Sequence, residues 1–398
     1  MGEILSRADT TDAAFDTLSN GFGPQRGTVA SVTGPIASGA ENPTADSGGP
    51  LPCRTVKTVR LTDPKGFILF DLADAPASVG VARSAPSVLI GGAESMARSV
   101  TYSMAVFGIR AGGASAAVNA KPDELAPAVA ALVAKAVEVG EGRLGLDPSR
   151  NVTADDLAPL RAHDPRPPWV ADGPIGANAA ARLVAAGALA AGDAMHATID
   201  GGRVAIEGFD VDSLALLEAL TERGARVVAV GTSAGTAEHA EGFDPAVLAE
   251  RADQGPGMVK SLVDKPRPAW AIFGADADVL FVGSRPGVLS HEGAAHVKAR
   301  TVLATGAVPF STKAMLVMQR AGTVVVPDFL SIAGPHIAAF DPAIEPATAA
   351  DTVRERIGGA VVELSQHPNG LFLGACEQAE AFLSTWQESL PFGRPLAA

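Results

Sequence analysis

The pattern of apolar and polar positions divides the chain into short strands and amphipathic helices. RTVKTVRLTD alternates, as a half-buried strand does, and GFILFDLAD has a continuous apolar centre, as a buried strand does. The spacing predicts a helix from Glu94 to Phe107 and another from Pro122 to Val139, with Asp123 and Glu124 placed to favour the helix dipole. HDPRPPWVADGP, His163 to Pro174, has four prolines and reads as a hinge. An Ala-rich helix comes after it, roughly Asn178 to Ala191. GGRVAIEGFDVDSLALLEALTERGARVVAVGTSAG then reads as strand, turn, helix, strand, a βαβ unit that belongs in a parallel sheet. The apolar runs WAIF, DVLFVG, TVLATG and TVVVPDFL come next, with a helix from Lys313 to Arg320 between the last two. This alternation predicts an open, doubly wound α/β domain. Residues 18–52, rich in Gly, Ser, Pro and Thr, read as a loose arm.

Composition narrows the function classes. A length of 398 residues suits two domains, and 47% hydrophobic residues supply a core. Lys and Arg number 31 against 44 Asp and Glu, so the formal charge is −13, which argues against gripping nucleic acid or anionic membrane through a basic surface. Eight of the 31 cations are lysine, with none between Lys65 and Lys121 or between Lys135 and Lys260. Cys53 and Cys376 are too few for a disulfide scaffold or zinc ribbon and fit a reducing, cytoplasmic setting. MGEILSRADTTD lacks the features of a signal peptide; Met1-Gly2 with Ser6 matches only the bare myristoylation pattern. No apolar run reaches a membrane-spanning length, so a soluble protein is expected.

The turn after RVAIEG is the strongest local signal. A dinucleotide site there wants G-x-G-x-x-G, with glycines for the turn, for approach to the pyrophosphate and for helix packing. The chain offers Gly208-Phe209-Asp210-Val211-Asp212-Ser213, which keeps only the first glycine. Asp210 replaces the glycine meant to lie against the pyrophosphate, and the two aspartates read best as helix caps. Thr232 stands near the place of the acidic residue that should hold the ribose. Gly231-Thr232-Ser233-Ala234-Gly235 matches G-x-S-x-G, with histidines downstream, yet the residues after Ser233 make a poor helix for a nucleophile elbow. His291-Glu292 with His296 is one residue too long for a zinc face, so no metal site is expected.

Taken in order, these segments resemble the glutamate/leucine/phenylalanine/valine dehydrogenase family. Ala93 to Tyr102 (AESMARSVTY) resembles its A-x-x-L-A-R-x-M-T-Y helix, and Phe107 to Gly113 its glycine loop. Asn151 to Leu157 resembles its T-A-E-D-V element. Gly224 to Val230, Val297 to Arg300 and Val325 to Leu330 with Ala333-Gly334 resemble its later strands. The resemblance implies two α/β domains, a substrate and oligomerisation domain followed by a Rossmann-like doubly wound one, with the active site between them. It divides the chain into an arm (1–52), a substrate/oligomerisation domain (53–170), a Rossmann-like domain (171–340) and C-terminal helices returning to the first domain (341–398).

The same resemblance exposes what is missing. The family's two decisive lysines fall at Ser103 and Ser115, which present no cation and no amine base. Arg110 is near enough in sequence to replace one charge, but guanidinium is no base. Asp156 aligns with the family's catalytic aspartate and is kept, while Pro159 takes the place of a threonine. The asparagines of two cofactor-side segments correspond to Val308 and Ile332. Gly80 keeps one of a glycine pair lining the substrate pocket, and Gly112 and Gly113 keep the loop. The expectation is therefore a descendant that has lost NAD(P)-dependent deamination and needs no cofactor, a structural or regulatory homologue forming a homo-oligomer or a hetero-oligomer with a paralogue. The alternatives are an enzyme of altered chemistry, using Asp156 with Ser115 or Arg110 on a small ligand in the cleft, or an amino-acid dehydrogenase still active with NAD or NADP.

Overall fold

The computed structural model describes residues 56–171 and 179–397. The N-terminal arm, Cys53, and the hinge residues from Asp172 to the expected helix start at Asn178 lie outside the described residues.

Two sheets organise the chain. The first is mixed and five-stranded, in the order β1-β2-β4-β3-β5. Its strands are β1 (Lys57–Thr62), β2 (Lys65–Phe70), β3 (Ser78–Ala85), β4 (Gly112–Asn119) and β5 (Leu144–Pro148). β1, β2 and β4 pair antiparallel, whereas β4, β3 and β5 pair parallel. Helix α1 (Ile90–Val106) starts four residues before the predicted point, without a side-chain cap, and lies against β4; α2 (Leu125–Gly140) comes after β4. α1 approaches β4 very closely: a Cβ on Gly113 would stand 1.8 Å from the Ala97 carbonyl oxygen.

The second sheet is six-stranded, in the order β11-β10-β9-β6-β7-β8. Its α3 (Ala179–Ala194) leads into β6 (Arg203–Glu207), α4 (Leu214–Glu222), β7 (Arg226–Thr232) and β8 (Gly235–Glu238). β9 (Val279–Val282), β10 (Thr301–Ala304), α5 (Thr312–Arg320) and β11 (Val324–Val326) complete it. All pairings are parallel except β7 with β8, which form a hairpin at the edge. The chain leaves β6 toward β7 and returns to β9 on the other side, so the topological switch point lies between β6 and β9. WAIF is not a strand; after Pro266 and Pro268 it forms a tight helical turn, Ala269–Gly274.

The chain then folds back through α6 (Gly334–Phe340), α7 (Ala349–Ser365) and α8 (Gly370–Leu383). One apolar cluster joins Tyr102 of α1 to Leu183 of α3, Ile357 of α7 and Ala379 of α8, so the two lobes share a core. α3 and α7 nest because Gly187 has no side chain: a Cβ there would stand 2.6 Å from Ile357 Cδ1.

Candidate functional site

The ends of β6 and β9 form the crevice where an open α/β sheet holds its ligand. In this chain its own side chains engage the donors there. Glu207, 7% exposed, accepts from the Gly283 amide (3.2 Å), the Ser284 amide (3.1 Å) and the Ser284 hydroxyl (2.5 Å), tying β6 to the loop after β9. Gly208 makes the turn at φ 89°, and a Cβ there would meet the Ser284 backbone at 2.7 Å. Asp210 Oδ1 accepts from the amides of Asp212 (3.0 Å) and Ser213 (3.3 Å), while the Asp210 amide donates to Ser213 Oγ (3.2 Å), a complete capping box. The amides at this turn, which in a dinucleotide site face the pyrophosphate, are thus hydrogen-bonded to the chain's own carboxylate. Only one of the two aspartates caps the helix. Asp212 offers its amide, and its carboxyl pKa is raised by desolvation and by the adjacent Asp210 carboxylate.

Thr232 lies off this crevice. Its hydroxyl donates to the Pro256 carbonyl (2.7 Å) and accepts from the Ala234 amide (3.2 Å). Ser233 sits in the two-residue turn of the β7–β8 hairpin, with strand rather than helix behind it, so the nucleophile-elbow reading fails on geometry. His291 pairs with its neighbour Glu292 and His296 stacks on Trp270; among the described residues no group of three side chains is arranged to hold a metal.

The first lobe places Ser103 on α1 and Ser115 on β4, the strand that α1 packs against. Ser103 is buried, and its Oγ lies 3.0 Å from His336 Nδ1 of α6. Burial, with a contribution from Arg166, pushes the His336 pKa down to about 4 against the opposing pull of Asp147, so the ring is neutral at pH 7. Ser115 accepts from Arg83 Nη1 at 3.0 Å, and that nitrogen also lies 3.3 Å from Met96 Sδ. Arg83, not the exposed Arg110, is the cation that reaches Ser115, and burial lowers its pKa. Asp156 accepts from the Thr153 amide (2.8 Å) and hydroxyl (2.7 Å), closing a local turn. Gly80 and Gly113 serve close packing, since a Cβ on Gly80 would stand 1.8 Å from the Ala114 carbonyl oxygen.

Between the lobes is a cleft of about 410 Å³, within the range of small-ligand sites. Asp147, Ala154 and Arg161 line one side; Gly208, Asp210, Asp212, Ser213, Ser284 and Thr305 line the other, with the alanines of α3 as an apolar floor. Of the site residues singled out from sequence, the cleft gathers Gly208, Asp210, Asp212 and Ser213; Thr232 and the first-lobe candidates lie off its wall. Sequence reasoning missed Glu207, Arg83, Asp147 and His336. Glu207 is adjacent to Gly208, so the turn itself held that signal. Arg166 Nη1 holds Asp147 at 2.8 Å to both oxygens, with Arg161 at 3.5 Å. Burial raises the Asp147 pKa, but the two guanidinium groups outweigh it and keep the carboxyl below its usual range. Val308 holds φ 50°, a left-handed backbone that strains a β-branched residue.

These features define a class, a two-lobed α/β protein whose second lobe is a doubly wound sheet of the dinucleotide-binding kind. Residues 176–339, most of the second lobe, match the family Glutamate/Leucine/Phenylalanine/Valine dehydrogenase. The NAD-specific glutamate dehydrogenase of Staphylococcus aureus is 27% identical over 136 residues, 34% of this chain and 33% of that protein. The glutamate dehydrogenase of Aeropyrum pernix is 25% identical over 193 residues, 48% and 44% of the two chains. The matched stretch is thus a third to less than half of those relatives. Among solved structures, a hetero-hexameric glutamate dehydrogenase from Thermus thermophilus superposes with a TM-score of 0.68 at 23% identity, over 84% of this chain and 90% of that one. The L-tryptophan dehydrogenase of Nostoc punctiforme gives 0.55 at 17% identity, over 83% and 95%. At these identities the structures establish a shared fold. No helix of the described residues is long and apolar enough to cross a membrane.

Proposed function

We propose that this chain is a family member that has lost NAD(P)-dependent oxidative deamination and acts as a structural or regulatory subunit, assembling with itself or with an active paralogue. One observation carries the reading: Glu207 and Asp210 hold the backbone amides at the switch point on which a cofactor's phosphates would rest. A phosphate would have to displace a carboxylate from hydrogen bonds and sit beside Asp212, against Coulomb repulsion in a partly desolvated crevice. Ser103 and Ser115 support the same reading, because neutral hydroxyls committed to His336 and Arg83 neither clamp a carboxylate nor take a proton as an amine. The Thermus thermophilus relative is a hetero-hexamer, which favours a role in assembly.

The test is a deamination assay with a panel of amino acids and both nicotinamide cofactors, read by nicotinamide absorbance. The expected outcome is no turnover above the rate without protein; sustained turnover of any amino acid overturns the reading. The cleft volume favours a second reading, altered chemistry on a small ligand. A ligand found by thermal shift whose effect is lost in Asp212→Asn, which alters a residue of the cleft wall, would favour it.

A further inference from the structure

We propose that the C-terminal residues 384–397 form a strap across both lobes that sets the width of the cleft. The strap leaves α8 and is first held by the first lobe. Arg98 of α1, 5% exposed, donates from Nε to both oxygens of the fully buried Asp71 (2.9 and 2.8 Å) and pairs with it again through Nη2 at 2.7 Å. With that side of the guanidinium engaged, Nη1 points outward and donates to the carbonyl oxygens of Phe392 and, at 2.6 Å, Gly393. Phe392 itself is 98% exposed, so the backbone rather than the side chain is what the first lobe grips there. Arg394 adds a fork to Glu380 of α8 (2.8 and 2.9 Å), which also accepts from Tyr102 of α1.

Two residues later the chain belongs to the second lobe. Leu396 packs on the apolar cluster behind β9 and β10, the Ala397 amide donates to the Phe310 carbonyl (3.0 Å), and Ala397 pairs with Ser311 in a parallel bridge just before α5. Gly287 borders the same spot, where a Cβ would be 3.3 Å from Ala397 Cβ. Only Arg394 and Pro395 separate the two anchors. Extended chain gains at most about 3.6 Å per residue, and proline removes one rotation, so the strap has little slack to pay out. Two other polar ties from α1 to the second lobe, Ser99 to Asp328 and Ser103 to His336, are single hydrogen bonds. The strap combines a charged fork, a strand bridge and an apolar anchor, and opening the cleft requires releasing one end of it.

Two full-length or near full-length variants test this. Ala397→Pro deletes the amide that bonds Phe310, and a chain ending at Pro395 removes the second-lobe anchor while keeping the grip of Arg98. Both are compared with the unaltered chain by hydrogen–deuterium exchange and small-angle scattering, with thermal unfolding confirming that each folds. The expected result is at least about tenfold faster exchange at the cleft amides of residues 208–213 and 283–284, together with a larger radius of gyration. Exchange that quickens only at Phe310 and Ser311, with an unchanged radius in both variants, overturns the proposal.

Discussion

The two walls of the cleft hold charge in different ways. On the first-lobe wall, carboxylates meet guanidinium groups: Asp147 and Asp164 share Arg166, and Arg161 stands beside them. On the second-lobe wall, carboxylates meet backbone amides: Glu207 takes Gly283 and Ser284, and Asp210 takes Asp212 and Ser213. Asp328, behind that wall, takes the Val308 amide at 2.7 Å and the Ser99 hydroxyl at 2.5 Å. An ion pair neutralises a charge already present in the wall. A carboxylate on amides consumes donors that an anionic ligand would otherwise use. The second-lobe wall is therefore the side of the cleft where the chain's own carboxylates occupy backbone donors.

The largest effect is expected where the first-lobe wall is broken. Arg166→Met leaves Asp164, with its side chain 2% exposed, and Asp147 sharing Arg161 alone, one cation for two carboxylates, and should cost about 3–5 kcal/mol in urea unfolding. A loss below about 1 kcal/mol would show that these pairs are held only loosely.

The second lobe carries two titrations of opposite sign. Burial, against opposing hydrogen bonds from Ser99 and Val308, raises the Asp328 pKa to about 6 from 3.8. Folding thus favours its protonated form: its stabilising contribution is full below about pH 4 and is lost as pH rises to 6, a change of about 3 kcal/mol. His336, lowered to about 4 from 6.5, behaves in reverse, contributing above pH 6.5 and losing that contribution as pH falls toward 4. Urea titrations of Asp328→Asn and His336→Gln should remove one limb each; a parent profile that keeps both limbs in either variant contradicts the assignment.

A smaller cost is expected at Gly145. A Cβ there would stand 2.7 Å from Asp164 Oδ1 and 2.8 Å from Arg166 Nε, so Gly145→Ala should destabilise by about 1–3 kcal/mol as the pair is pushed off β5. Unchanged thermal stability would mean the pair can shift freely. The smallest effect sharpens the contrast most. Asp210→Gly removes the cap at a cost of a few tenths of a kcal/mol and frees two amides, so NADH affinity should rise about tenfold or more, roughly 1.4 kcal/mol. Equal NADH titration curves for variant and parent would show that Asp210 is not the obstacle.

The fold was legible because its signals are local and periodic. RVAIE and RVVAVGT read as parallel strands around a helix and are so in β6 and β7. WAIF misled because apolarity alone does not separate a strand from a helical turn behind two prolines. The site was legible only along the chain. Asp210 with Ser213 is a local cap, visible in the spacing. Ser103 with His336, 233 residues apart, and Arg83 with Ser115, on adjacent strands, are set by tertiary packing that no spacing records. Arg110 looked nearer to the glycine loop in sequence, but β3 and not that loop carries the cation to Ser115.

If the chain's own carboxylates hold the cofactor's place, the unaltered protein should be blind to the nucleotide. Isothermal titration with NADH and with NADPH tests this most directly. No saturable heat is expected up to millimolar nucleotide. Saturable binding of either at micromolar concentration would contradict it.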